Sequence, residues 1–166
     1  AKINNPVVRE FKEGSVDTTS NLLECVDFVQ QNSNYRLDRF LYISSSMVYG
    51  DFKKSSVSEN EKLNPKEIYG TMKLAGEIVT SGMCVQHKIP YTIVRPSAVY
   101  GPTDMNQRVT QYFIEKADVG ETLYIHGKNE KLDFTYVEDL VDGCILASKS
   151  LKGINQIFNI TNGNAR

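Results

Sequence analysis

Histidine is scarce in this chain. Its 166 residues include two, His87 and His126, and neither has a partner at metal-ligand spacing, which leaves a histidine-based metal centre or a Ser-His-Asp hydrolase triad without support. Cysteine is equally uninformative as a ligand: Cys25, Cys84 and Cys144 are far apart, odd in number and form no C-x-x-C pair. They read as reduced thiols in an intracellular, cytoplasmic protein, each flanked by apolar residues and expected in a core. An excess of charge of one sign is also missing. Nineteen basic residues stand against twenty acidic ones for a formal net charge of −1, so nothing here would hold a nucleic acid or an acidic membrane surface through bulk field. No run approaches the ~18 apolar residues of a membrane span.

What is present suits one domain with a real core, at 40% hydrophobic content. The opening "AKINNP" has neither initiator methionine nor signal peptide, and "ITNGNAR" follows directly on a strand-like run; a piece of a longer protein is expected. Residues 14–32 carry Val16, Leu22, Leu23, Val26 and Val29 at roughly helical spacing. The run "RFLYIS" at 39–44 is hydrophobic on consecutive positions, as in a strand buried on both faces. In "NPKE", Asn64 is placed as N-cap, Pro65 at the first helical position and Glu67 at the capping-box position. The helix they predict runs to about residue 87 and buries Ile68, Met72, Ala75, Val79 and Met83. A second buried strand, "PYTIVRP", follows at 90–96.

Strand, helix of about twenty residues, and strand make a βαβ unit, which with the preceding helix implies an α/β fold with a doubly wound parallel sheet. Beyond residue 101 the pattern predicts a helix near 106–117, a strand at 122–127, a strand-to-helix turn at 132–148 and a last strand at 157–161.

Ligands of open α/β sheets bind outside the carboxyl ends of the strands. The first strand ends in Ser44, Ser45 and Ser46, the second in "RPSAVYGP", and "IYGTMK" sets Tyr69 and Lys73 in the opening turns of the helix between them. Each cluster alone could be an ordinary strand exit or helix surface. Together they fall on one edge. Tyr69 and Lys73, four residues apart, share a helix face, and a cation beside a phenol favours phenolate and general acid–base work. A serine hydroxyl at the strand end can bond the oxygen that gains or loses the proton. The set suits alcohol–ketone interconversion coupled to hydride transfer.

With "SSSMVYGD", "YGTMK", "VRPSAVYGP" and "LDFTYVEDLVDG" in that order, the chain resembles the extended short-chain dehydrogenase/reductases, particularly the NAD-dependent epimerase/dehydratase family acting on nucleotide sugars. The resemblance implies a partial Rossmann-like sheet over residues 1–100, the later half of an NAD(P)-binding domain. It also implies the start of a smaller C-terminal substrate domain over 101–166, with 132–161 partly returning to the sheet. The glycine-rich phosphate loop of such proteins does not occur in this sequence. By position, the resemblance makes Tyr69 the acid/base and Lys73 the residue that holds the nicotinamide ribose. Ser45 becomes the catalytic hydroxyl, with Ser44 and Ser46 as alternatives, and Pro96 and Ser97 lie against the nicotinamide. Ser45 and Ser46 would also face substrate.

Departures from the family pattern narrow the activity. Its dehydratases carry an Asp-Glu pair just after the Ser/Thr, where this chain has Ser46 and Met47. Ala98 and Leu132 replace the Asn and Arg common in related epimerases, which leaves Arg108 or Lys131 to meet a diphosphate, and Ser15 stands where a helix Asn is usual. The expectation is an epimerase using NAD (or NADP), homodimeric in the parent protein. A nucleotide-sugar ketoreductase and a non-catalytic dinucleotide sensor are the competing readings.

Overall fold

The computed structural model describes residues 8–165 except 53, 55, 105–107 and 126–130. The chain opens with α1 (Val8–Lys12), passes through a π-turn at Glu13–Asp17 and continues as α2 (Thr18–Asn32). The helical segment therefore starts ahead of residue 14. The π-turn widens the backbone by one residue and turns Ser15 inward, where it is buried.

β1 (Phe40–Ile43) follows, then a 3₁₀ turn at Ser46–Tyr49, then α3 (Ile68–Gln86) and β2 (Tyr91–Pro96). After it come β3 (Ala98–Tyr100), α4 (Val109–Asp118), β4 (Phe134–Tyr136), α5 (Val137–Lys149) and β5 (Gln156–Ile160). The main sheet has the order β1-β2-β5, parallel throughout, with Phe40 opposite Tyr91 and Thr92 opposite Gln156. A second parallel pair joins β3 to β4, with Ala98 opposite Phe134.

Helices cover both faces of the sheet, because strand side chains alternate in direction. On one face Val94 packs with Leu140, Cys144 and Ala147 of α5, flanked by Leu41, Phe158 and Ile160. On the other, Phe40 and Tyr91 lie against Leu23 of α2 and Cys84 of α3. Full burial of a side chain such as Leu23 contributes about 1.5–3 kcal/mol. The arrangement is the expected α/β fold with a doubly wound parallel sheet.

Several local expectations are corrected. α3 begins at Ile68 rather than Pro65, and its N-cap residue, Glu67, is extended and makes no side-chain cap. Asn64 is occupied elsewhere: its backbone N–H donates to the Val48 carbonyl at 3.0 Å, holding the chain extended against the 3₁₀ turn. The deeply buried residues of α3 are Gly70, Gly76, Glu77, Thr80 and Cys84, while Ile68 is exposed. Small and polar residues form this covered face because backbone and a charged network approach it closely, which a hydrophobic count does not register. β1 is paired on one side only among the described strands, and Ile43 is 48% exposed rather than buried. Residues 122–125 form no strand, and 126–127 lie outside the described residues, as do 106–107 at the expected start of α4. Cys84 and Cys144 are core residues, whereas Cys25 is exposed.

Candidate active site

The parallel sheet sets the carboxyl ends of β1 and β2 side by side, since Ile43 pairs with Val94. Three hydrogen bonds set the directions in which Ser44 and Ser45 leave that edge. Ser44 continues the ladder through its N–H to the Val94 carbonyl at 2.8 Å, and its hydroxyl donates to Glu77 Oε1 at 2.5 Å. At 2% exposure, that hydroxyl is committed to α3 and unavailable to a ligand. Ser45 turns the chain: its Oγ accepts from the Met47 N–H at 3.2 Å and caps the 3₁₀ turn. Its proton is left to donate outward. Ser46, the next residue, is half-buried.

The first turn of α3 lies directly on that 3₁₀ turn, and Gly70 makes the approach possible. A Cβ at this position would stand 2.6 Å from the Met47 carbonyl oxygen, inside contact distance. The glycine in "IYGTMK" thus lets the helix bearing Tyr69 and Lys73 sit against the loop bearing Ser45. Gly76 permits a similar approach farther along the helix, where a Cβ would fall 2.0 Å from the Tyr42 hydroxyl.

The Lys73 ammonium reaches back to the end of β1 and donates to the Ile43 carbonyl at 3.0 Å. It lies 5.8 Å from the Tyr69 ring centroid and 5.6 Å from that of Tyr42. Burial disfavours its charged form and lowers its pKa below the usual lysine value. Tyr69 is half-buried, and Phe11 of α1 packs edge-on against its ring at 5.5 Å between centroids. Beneath them, burial pushes the Tyr42 phenol up to about 12, against the lowering effect of a hydrogen bond from Ser15. The Tyr42 hydroxyl also faces the Lys73 carbonyl at 3.4 Å.

Pro96 ends β2 and is buried, and Ser97 is half-buried at the step into β3. Beyond them, Val99 to Asp104, Arg108 and Val137 line a cavity of about 200 Å³. Arg108 is exposed at the N-cap of α4 and points its Nη1 at the Val99 carbonyl, 3.5 Å away. Lys131 is exposed and is not among the cavity's lining residues. The structure therefore brings Ser45, Tyr69 and Lys73 to one edge and Arg108 to a neighbouring cavity, and leaves Lys131 apart from it.

The sequence reading missed the buried network behind this edge. Arg95 is 1% exposed and clasps Glu77 through Nε to Oε1 at 2.8 Å and Nη2 to Oε2 at 2.6 Å. Burial alone would lower its pKa, but hydrogen bonds with Glu77 and Tyr49 outweigh that and raise it. The available signal was spacing: Tyr69, Lys73 and Glu77 recur every four residues on one side of the helix.

Residues 8–161 match the NAD dependent epimerase/dehydratase family. The chain belongs to that family. A putative UDP-glucose 4-epimerase of Methanocaldococcus jannaschii is 32% identical over 98% of this chain and 53% of its own length. The human dTDP-D-glucose 4,6-dehydratase is 30% identical over 75% of this chain and 36% of its own. UDP-glucuronic acid 4-epimerase from Bacillus cereus, solved with UDP-glucuronic acid and NAD, superposes with a TM-score of 0.81 at 30% identity, over 92% of this chain and 47% of that one. The chain spans about half the length, or less, of the epimerase/dehydratase relatives it matches. Both epimerases and dehydratases occur among these family members.

Proposed function

We propose that the protein carrying this chain is an NAD-dependent nucleotide-sugar epimerase that oxidises a sugar hydroxyl to a ketone and reduces it on the opposite face. The observation that carries the reading is the Ser45–Tyr69–Lys73 edge combined with Ser46 and Met47 in the 3₁₀ turn that follows. No carboxylate occupies those two positions, so this turn supplies no acid–base pair for elimination of water.

The residues present fit the nicotinamide end of the cofactor. Among the described residues Lys73 makes one hydrogen bond, to Ile43, which leaves two ammonium protons for ribose hydroxyls. Pro96 and Ser97 border the same edge. When bound, NAD accepts and returns the hydride. Tyr69, as the phenolate, takes the proton from the sugar hydroxyl and, as the phenol, gives it back to the carbonyl oxygen. Ser45 donates a hydrogen bond to that sugar oxygen, while the 3₁₀ turn fixes its Oγ. Lys73 keeps positive charge beside the phenol. Arg108, which lines the cavity beyond β2, meets the diphosphate, and Ser46 borders the sugar. Dimerisation fits the apolar surface of α2 and α3, where Leu22, Phe28, Ile78 and Val85 are exposed, Phe28 by 67%.

The test uses the complete protein with NAD and a panel of UDP-, GDP-, CDP- and dTDP-sugars, followed by NMR and nicotinamide absorbance. A new stereoisomer with no net change in absorbance is expected. Stoichiometric consumption of NADPH with a keto-sugar would replace the epimerase with a reductase, and silence with cofactor binding intact would replace it with a sensor.

A further inference from the structure

Ser44, Tyr49, Glu77 and Arg95 are buried and linked in one hydrogen-bonded network that extends to the half-buried Asn159 and Glu59. Glu77, 4% exposed, accepts from Ser44 and doubly from Arg95. Arg95 Nη1 donates to the Tyr49 hydroxyl at 2.8 Å and to the Glu59 carbonyl at 3.1 Å. Tyr49 donates onward to Asn159 Oδ1 of β5 at 2.7 Å. Asn159 in turn donates from its backbone N–H to Glu59 Oε1 at 2.8 Å and from Nδ2 to the Val57 carbonyl at 3.0 Å.

The placement of these bonds is specific. Ser44 immediately precedes Ser45, and Tyr49 closes the 3₁₀ turn that Ser45 caps. Both ends of the short segment bearing Ser45 are therefore tied to one Glu77–Arg95 pair. Glu77 also lies eight residues beyond Tyr69 on α3, about 12 Å along the helix axis. A rigid helix thus links the anchor to the phenol. Stability alone does not account for such a pair, since desolvating two charges offsets most of their attraction and an apolar pair of similar volume is often as stable. What a fully satisfied ionic network adds is a single geometry.

We infer that Glu77 and Arg95, through Ser44 and Tyr49, are positioning residues that hold the Ser45 hydroxyl in register with Tyr69 for proton transfer. The inference rests on the proposed function. Positioning errors near 1 Å cost on the order of 10²-fold in rate, so even modest loosening of the turn is measurable.

The test compares Ser44→Ala and Tyr49→Phe in the complete protein. Each removes one hydroxyl and keeps the ion pair, which avoids the folding failure expected on truncating Glu77 or Arg95. Expected is a fall in kcat of roughly 10- to 100-fold in folded protein, with KM and NAD affinity within about threefold of wild type. The double variant should lose less than the product of the two single losses, because both act through one anchor. Amide exchange at residues 45–49 should accelerate in both variants. Unchanged kcat in folded variants overturns the inference, whatever their melting temperatures or exchange rates. A wild type that is silent across the sugar panel defeats the proposed function; in that case the exchange readout decides the clamp, and unaltered exchange at 45–49 overturns it.

Discussion

Gly70→Ala tests whether close contact between α3 and the 3₁₀ turn sets the site. The new methyl carbon would lie 2.6 Å from the Met47 carbonyl oxygen, 3.0 Å from its carbon and 3.2 Å from its Cβ. An ordinary contact needs about 3.4 Å or more, so helix and turn must separate by roughly 0.8 Å. The obstruction is backbone and cannot rotate aside. Two energies compete: alanine is favoured over glycine in a helix by about 1 kcal/mol, and overpacking of a well-filled contact costs about 1–3 kcal/mol. The clash should prevail, giving a net loss of ~1 kcal/mol in urea unfolding. The larger effect should be on turnover, down roughly 10- to 100-fold, because the displacement falls between Ser45 and Tyr69. Gly82→Ala is the internal control on the same helix, with nothing within 4 Å of its Cβ. It should stabilise the protein by about 0.5–1 kcal/mol and leave turnover intact. A Gly70→Ala variant with wild-type turnover would refute the claim that this contact sets the geometry.

Tyr69→Phe should cost about 10²–10⁴-fold in kcat with NAD affinity retained; near-normal turnover would remove the phenol from the mechanism. Tyr42 supplies a pH prediction. Its folded pKa is raised from 10.0 to about 12, so its contribution is fully present below pH 10 and is lost as pH rises towards 12. The two-unit difference amounts to about 2.7 kcal/mol, and Tyr42→Phe should flatten the fall in stability over that window relative to wild type. Cys84, raised by burial from 9.0 to about 11, adds a loss of the same sign and similar size, beginning about one pH unit lower, to both proteins; equal slopes in the two would contradict the burial argument. Phe28→Glu combined with Ile78→Glu should reduce the proposed dimer of the complete protein to a monomer by light scattering, with NAD binding preserved; a mass unchanged from wild type would contradict dimerisation through this surface.

The architecture was readable where pattern and physics agree. Consecutive apolar residues at 40–43, the strand-forming run "YTIV" at 91–94, a helix of nineteen residues between them, and "FTYVED" running from β4 into α5 could hardly be arranged otherwise. The start of α3 was misread because the backbone of Asn64 answers to Val48, a contact that local capping rules do not see. Its buried face was misread for a related reason: Glu77 is covered because Arg95 and Ser44 meet it, and they are distant in sequence. Leu123, Tyr124 and Ile125 have strand-like composition but form no ladder and are exposed. At the site, the edge rule named Ser45, Tyr69 and Lys73, which the 3₁₀ turn and the first turns of α3 bring to one edge. It could not separate Ser44 from Ser45, because that distinction depends on which hydroxyl Glu77 captures.

The sheet order bears on the timing of assembly. β1, α3 and β2 are consecutive, and β1 meets β2 across 51 residues, with Phe40 opposite Tyr91, while β5 returns to β2 across 64, with Thr92 opposite Gln156. Non-local pairings of this kind are slow, and during synthesis β5 emerges after the other described strands. Asn159, the residue that completes the bond to Tyr49, arrives with it. A nascent chain can therefore bury its α2–α3 core well before the loop bearing Ser45 acquires its final anchor. The edge that would meet the sugar gains its last side-chain anchor when that strand docks.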